Sequence, residues 1–357
     1  MRVVIRVDAS VQMGTGHVMR CLTLAQALKK QGADVAFICR LHDGHLIDVI
    51  QQQGFEVYPQ VITRPANTLK QDESSLFHAD WLGGTQAQDA EQCRPILQRI
   101  QPDWLIVDHY AIDRDWHAAL SGCYRRLMVI DDLTDRAHLA DLLLNQNYGA
   151  NPADYKPLVS EQCRLLMGAD YALLREEFAQ WRALSLARRQ TPVFKHLLIT
   201  LGGADADNVT GAIIEQLATT ALPESLQISV VMGASTLHKA RVIAQARRLP
   251  WQTEVRVNVT NMAELMCQAD LAIGAAGATT WERCCLGLPT IQFVIAFNQR
   301  QVAEQLAQAG LVKTVDNVAG LPLLLADAPN WMAELSHKSA QICDGLGCQR
   351  VVAAMFE

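Results

Sequence analysis

No stretch of the 357-residue sequence carries an apolar run approaching the ~18–20 residues that a bilayer-spanning helix needs. The first residues, MRVVIRVD, hold charges at Arg2, Arg6 and Asp8 and no apolar core of signal-peptide length, so no secretion signal is expected. Basic excess is missing too: 31 Lys and Arg against 37 Asp and Glu leave a net charge of −6, which disfavours a nucleic-acid partner. Ten cysteines occur without a C-x-x-C pair, which argues against a disulfide framework or a zinc site and for thiols in a reducing cytoplasm. H-E-x-x-H and G-x-S-x-G are both absent, as is the Gly-Lys-Ser/Thr ending of a Walker A loop. His42 and His45 stand in a polar loop with no partner in sequence, so no metal site is expected. What remains is a chain half apolar and 19% charged, the composition of a globular protein long enough for two domains.

The hydrophobic pattern alternates strand and helix. A β-branched run at 3–7 is followed by a small-residue loop, a helical pattern from His17 to about Gln31, and a second strand at 33–39. Right-handed crossover makes this the start of a parallel sheet. Further strands are expected at 56–58, 104–107, 127–130 and 142–144, with helices near 44–53, 89–100 and 113–121. The stretch from Pro59 to Gly84 reads as a long polar loop. A charged helical segment ending near Gln190 marks the expected boundary between domains 1–190 and 191–357. A second series then begins, with strands at 196–200, 227–232, 254–257, 271–273 and 290–294. The expected fold class is α/β, two Rossmann-like domains facing across a cleft.

Several motifs fall at the carboxyl ends of these strands, where open α/β sheets bind ligands. In Gly14-Thr15-Gly16-His17 the glycines permit close backbone approach, and the helix that follows offers free N–H groups. A histidine there feels the positive end of the helix dipole, which favours the neutral ring a general base requires. Alternatively His17 packs a tight turn. Asp8, the group Asp108-His109-Tyr110 and the pair Asp131-Asp132 share this edge, and three polar clusters together favour a site over simple capping.

In the second half, Gly202-Gly203 follow a strand in a turn suited to a diphosphate, or in an ordinary strand-to-helix turn. Asp205-Ala206-Asp207 spells D-x-D but reads as a loop acid and a helix cap. Gly274-Ala275-Ala276-Gly277-Ala278-Thr279-Thr280-Trp281-Glu282 is the strongest motif. A strand ends in small residues, a helix begins near Ala278, and Glu282 one turn in could accept hydrogen bonds from the vicinal hydroxyls of a ribose. Asn298, Gln299 and Arg300 open another helix at the same edge.

With these motifs the chain resembles the glycosyltransferase-B superfamily. The G-A-x-T-x-x-E pattern at 277–282, followed by Gly287-Leu288-Pro289, is similar to the enzyme that adds N-acetylglucosamine to lipid I. The first half resembles hydrolases of UDP-2,4-diacetamido-2,4,6-trideoxy-β-L-altropyranose from pseudaminic acid biosynthesis, a route to flagellin glycosylation. The likeness lies in Arg6–Ser10, Gly14–Arg20, Trp81–Gly83, Asp108–Tyr110, Asp131–Leu133 and Tyr171–Phe178, six motifs in order between Met1 and about Gly310. The resemblance implies a soluble UDP-sugar as partner, no cofactor, no metal, and a monomer or weak homo-oligomer. It implies His17 as the base that activates water and Tyr110 beside the sugar as the catalytic pair. Asp8, Gly14, Gly16, Arg20, Asp108 and His109 would bind the sugar side. Gly202, Gly203, Gly277, Ala278, Thr279, Glu282, Asn298 and Gln299 would bind UDP. At Ala275-Ala276 the chain departs from relatives that carry serine there. A UDP-sugar glycosyltransferase and a non-catalytic nucleotide-sugar binder are the alternatives.

Overall fold

The computed structural model describes residues 1–63, 76–202, 205, 207–233, 236–295 and 299–357. The chain divides into two units, one formed by residues 1–173 together with 348–357 and the other by residues 174–347.

In the first unit seven parallel strands form one sheet: β1 (Arg2–Val7), β2 (Asp34–Arg40), β3 (Glu56–Gln60), β4 (Trp104–Asp108), β5 (Arg126–Ile130), β6 (Leu142–Asn145) and β7 (Arg164–Met167). Their order is β3-β2-β1-β4-β5-β6-β7. Both faces are covered, which is why β1 and β4 read as near-continuous apolar runs rather than alternating ones. Val3, Ile5 and Val7 pack on one side with Val18, Leu24 and Leu28 of the helix Gly16–Lys30. Val4, Leu105 and Val107 pack on the other with Cys93 and Leu97 of the helix Gln86–Ile100.

The second unit repeats the plan with β8 (His196–Thr200), β9 (Gln227–Met232), β10 (Gln252–Val257), β11 (Leu271–Ala275), β12 (Thr290–Phe293) and β13 (Lys313–Val315), in the order β10-β9-β8-β11-β12-β13. In each sheet the strand order reverses beside the first strand, between β1 and β4 and between β8 and β11. That reversal opens a crevice at the carboxyl ends, the place where doubly wound sheets take ligands.

Three expectations change. The division falls at 173/174 rather than 190/191, because the helix Glu176–Arg188 is tied to the second unit. Its Ser185 hydroxyl donates to Leu286 O at 2.7 Å and its Arg182 guanidinium to Ala340 O at 2.6 Å. The last helix, Gly347–Phe356, belongs mostly to the first unit. Its Val351, Val352 and Met355 enter the core around β1, and Trp104 Nε1 donates to Met355 O at 3.1 Å. Two strands, β7 and β13, extend sheets that the sequence reading ended one strand earlier. Of the expected loop at 59–84, the first two residues complete β3 and Ala79–Leu82 form a 3₁₀ turn. Residues 64–75 lie outside the described residues.

Candidate functional site

At the first unit's reversal point, β1 and β4 run side by side with Val7 opposite Asp108. This register sets Asp8, Asp108 and His109 on adjacent strand ends. The loop after β1 turns on Gly14, whose φ of +76° is a left-handed value that glycine adopts without strain. Gly14 N donates to Ser10 O at 2.9 Å, and Met13 N donates to the Ser10 hydroxyl at 3.0 Å. Gly16 opens the helix, and its N-cap Thr15 makes no side-chain cap bond. The first-turn N–H groups therefore stay uncapped.

His17 stands in that first turn, buried, with Nδ1 2.6 Å from Asp108 Oδ1. A carboxylate at that distance requires a proton on Nδ1, which leaves Nε2 as the basic lone pair. Arg20, one turn further on, clamps the same carboxylate through Nε to Oδ2 at 2.6 Å and Nη2 to Oδ1 at 2.7 Å. Burial alone would raise the Asp108 carboxyl, but Arg20 and His17 hold it far below the usual carboxylate range. Asp108 is therefore a permanent anion behind the imidazole. The Arg20 Nη2 also lies 3.2 Å from His17 Nδ1, but with Nδ1 protonated this is a contact and not a bond.

Tyr110 meets His17 edge-on at 4.6 Å between ring centroids and stacks on Trp81 at 5.8 Å. His78 completes the aromatic wall 5.3 Å from Tyr110, and Arg136 lies over the Tyr110 ring. The Tyr110 hydroxyl donates to Asp132, and Arg20 Nη1 reaches the other oxygen of that carboxylate at 3.4 Å. Burial pushes the Tyr110 phenol well up and Asp132 pushes it further, so it is a donor at every working pH.

Asp8 is held from behind. Its Oδ1 accepts from Arg6 Nη1 and from Arg40 N, both at 2.6 Å. Burial opposes its ionisation, but Arg6 keeps its carboxyl well below the ordinary value. The other oxygen, Oδ2, lies 3.3 Å from His109 Nε2 and 3.7 Å from His42 Nε2; both rings help hold the carboxylate ionised, yet neither pair closes a well-formed hydrogen bond. The three form a buried polar nest with hydrogen-bonding capacity left over, suited to a hydroxyl or an amide. Burial lowers the His109 ring below its ordinary value, and its Nδ1 accepts from Ala111 N at 3.1 Å.

Beneath these groups Asp89 is wholly buried. It accepts from Arg6 Nη2 and Arg40 Nη2 at 2.6 Å and from Trp116 Nε1 at 2.9 Å. The two arginines thus stand fixed at the strand ends.

In the second unit Gly202 follows β8 with φ of +91°. Asp205 caps the next helix, accepting from Val209 N at 2.8 Å and Thr210 N at 3.0 Å, which makes it structural. After β11 comes the turn Ala276–Ala278, with Ala278 exposed and Thr279 half-buried at the start of the helix Thr279–Cys285. A Cβ on Gly277 would meet only Gln299 Nε2 at 3.6 Å, so Gln299 does stand against this turn. Glu282 faces Arg175 at 3.6 Å. Burial raises its carboxyl, and Arg175 opposes that. Gly203 and Asn298 lie outside the described residues.

The structure thus gathers Asp8, Gly14, Gly16, His17, Arg20, Asp108, His109 and Tyr110 at one sheet edge. Separately, it gathers Gly202, Gly277, Ala278, Thr279, Glu282 and Gln299 at the equivalent edge of the other sheet. Sequence reasoning assigned no role to His42, His78, Asp89, Arg136 or Arg283. Among the described residues no group of three His, Cys, Asp or Glu side chains is arranged to hold a metal, and no helix is long and apolar enough to cross a membrane.

Two such units define a glycosyltransferase-B fold, and the solved structure of MurG from Acinetobacter baumannii superimposes with a TM-score of 0.70 over 99% of both chains at 18% identity. Residues 196–327 match the glycosyltransferase family 28 C-terminal domain. Along the sequence, the chain is 28% identical over 87% of its length to the UDP-2,4-diacetamido-2,4,6-trideoxy-beta-L-altropyranose hydrolase of Campylobacter jejuni, covering 97% of that protein. It is 26% identical over 82% of its length to an uncharacterized protein of Methanocaldococcus jannaschii and spans 55% of that longer chain.

Proposed function

We propose that the protein hydrolyses a UDP-linked 2,4-diacetamido-2,4,6-trideoxy sugar to UDP and the free sugar. One observation carries this reading: the bond from His17 Nδ1 to Asp108, which leaves Nε2 as an oriented base at the carboxyl edge of the sheet. The similarity to the Campylobacter hydrolase over 87% of the chain supports the substrate class.

Water would attack the anomeric carbon while His17 Nε2 takes its proton. The bond from that carbon to the diphosphate oxygen breaks, UDP departs with the electron pair, and the sugar is released with inversion. Asp108 holds the ring in the required tautomer and stabilises the imidazolium as it forms. Arg20 keeps Asp108 ionised and in place. The Tyr110–Trp81 wall would lie against the sugar, and the Asp8–His42–His109 nest would take one of its polar substituents. In the second unit Glu282 would hold the ribose, and Gly202, the turn at Gly277–Ala278 and the Thr279 hydroxyl the diphosphate. There backbone N–H groups and fixed donors would stabilise the charge that builds on the leaving group. Gly203 and Asn298 keep their proposed parts on resemblance alone.

A glycosyltransferase is the second reading, favoured by the family 28 match and by exposed apolar side chains on the loops after β1, β2 and β3. These are Val11, Leu41, Val61 and Ile62, and they would suit an apolar acceptor. The test is UDP release from the diacetamido sugar nucleotide, UDP-N-acetylglucosamine and UDP-glucose with no acceptor present. Fast release from the first alone is the expected result. Release only after an acceptor is added would favour transfer.

A further inference from the structure

Arg283 is 1% exposed, and among the described residues it forms no direct ion pair, although Glu282, its chain neighbour, acts on it through space. Its guanidinium lies against the turn after β11. Nη2 donates to Ala275 O at 2.8 Å and to the Thr280 hydroxyl at 3.1 Å, and Nη1 donates to the Thr279 hydroxyl at 2.9 Å. Nε is buried with no partner. Gly274 makes this placement possible, since a Cβ there would fall 2.5 Å from Nη1. Burial lowers the guanidinium to about 10, which still leaves it charged near neutrality. Glu282 is the carboxylate whose charge it feels, with no direct ion pair between them, and a buried cation held so is costly and survives where something else offsets it. Because the Thr279 oxygen accepts from Nη1, its own O–H is free to point away from Arg283. Thr279 is half-buried, so that donor has an open side.

We infer that Arg283 is a positioning residue for the diphosphate of the nucleotide: a fixed positive charge beneath the Gly274–Thr279 turn that also aims the Thr279 hydroxyl at a phosphate oxygen. The inference rests on the proposed UDP site in this unit. It adds the group that supplies the charge there, which the main-chain motif alone does not contain. Arg283 acts through Thr279 and through its field, and it need not touch the ligand.

The experiment is calorimetric titration of the full chain with UDP, inorganic pyrophosphate and uridine, for the unchanged protein and for Arg283→Met, Arg283→Lys and Thr279→Val. Removing a charge-assisted interaction should weaken UDP and pyrophosphate about 10- to 100-fold in Arg283→Met. Uridine affinity should stay within about threefold, since Arg283 carries the diphosphate only. Arg283→Lys should recover part of the loss. The melting temperature of Arg283→Met should fall only modestly, because a buried charge is gone while the Ala275 carbonyl and the Thr279 and Thr280 hydroxyls lose a donor. Unchanged UDP affinity in Arg283→Met, or an equal loss for UDP and uridine, overturns the inference. Should Arg283→Met fail to fold, Thr279→Val decides: a selective loss of UDP and pyrophosphate supports the coupling, and unchanged affinity overturns it. Pyrophosphate binding that needs Arg283, with no gain from the uridine moiety, would keep the role of Arg283 and sink the UDP reading. An unchanged protein that binds neither ligand would sink both.

Discussion

His17 Nδ1 and Asp108 Oδ1 approach to 2.6 Å across 91 residues of chain, and that single bond decides which ring nitrogen is available for chemistry. His17→Ala should therefore cut UDP release by about 10²–10⁴-fold, the usual loss when a general base is removed. Asp108→Asn should act through the same ring and cost at least about tenfold, since an amide leaves Nδ1 without an anionic acceptor. In both variants UDP affinity should stay unchanged, because the proposed UDP residues belong to the other unit. A matching loss of UDP affinity would overturn the division of labour.

Tyr110 is a donor and not a base. Its phenol is pushed well up by burial and by Asp132, so the pH–rate profile should show no alkaline limb from Tyr110. Tyr110→Phe should reduce turnover by about 5- to 30-fold, the value of one hydrogen bond near a charged group, and leave the shape of the profile intact. A new or shifted limb in Tyr110→Phe would show that the phenol titrates during turnover.

Glu282 predicts a pH dependence of binding. Burial raises its carboxyl above the ordinary value, so protonation begins at a higher pH than for a free glutamate. Affinity for UDP should fall as pH drops through that range, because the protonated group would lose the charge-assisted bonds to the ribose proposed for it. Glu282→Gln should bind UDP more weakly near neutrality and lack the acid limb. Pyrophosphate affinity should not weaken with the substitution, since Glu282 is a negative charge beside Arg283. A UDP titration over pH for both proteins checks this.

His138 predicts an acid weakness in the first unit. Its ring is buried, neither nitrogen makes a hydrogen bond though Nε2 lies 4.0 Å from Asp131, and burial with Arg136 nearby lowers it to about 3. His117 lies 5.5 Å away and is lowered as well. Between the ordinary histidine value and about 3, the unfolded chain takes up a proton that the folded chain refuses. Stability present above the ordinary value is therefore lost as pH falls, by up to ~1.4 kcal/mol per pH unit for each such group. His138→Phe should gain on the unchanged protein progressively from pH 6.5 downward. Urea unfolding at several pH values would show it, and a constant difference would refute it.

Asp89 should matter for folding more than for chemistry. It is the buried anion between Arg6 and Arg40, so Asp89→Ala leaves two buried cations short of a partner and should cost about 3–5 kcal/mol. Replacing an exposed acid such as Glu91 should change stability by less than ~0.5 kcal/mol. Denaturant midpoints compare the two.

The alternation of apolar runs and small-residue turns was enough to read both sheets, because a strand buried on both faces is mostly apolar and admits a polar residue, such as Arg6 or Arg40, only where a buried partner meets it. The short edge strands escaped. Arg164–Met167 begins with an exposed arginine, and Lys313–Val315 is three residues with none fully buried, so neither carries that signature. Site residues that follow a strand directly, such as Asp8 and Asp108, were legible from position alone. Asp89 was not, because an acid in the first turn of a helix reads as a dipole partner and its burial depends on arginines 83 and 49 residues away. Arg283 was hidden the same way. Nothing local tells an inward arginine on a helix from an outward one, and the clue, Gly274, has its own explanation as a strand-end glycine.

The return of Gly347–Phe356 to the first unit has a consequence for synthesis. Val351, Val352 and Met355 seal a core that begins at Val3, so the ribosome finishes the second unit before the first can close. During that interval the faces of Val3, Ile5 and Trp104 wait for their last neighbours, and a nascent chain stalled or clipped near residue 346 would carry an open core however well its strand-end loops were formed.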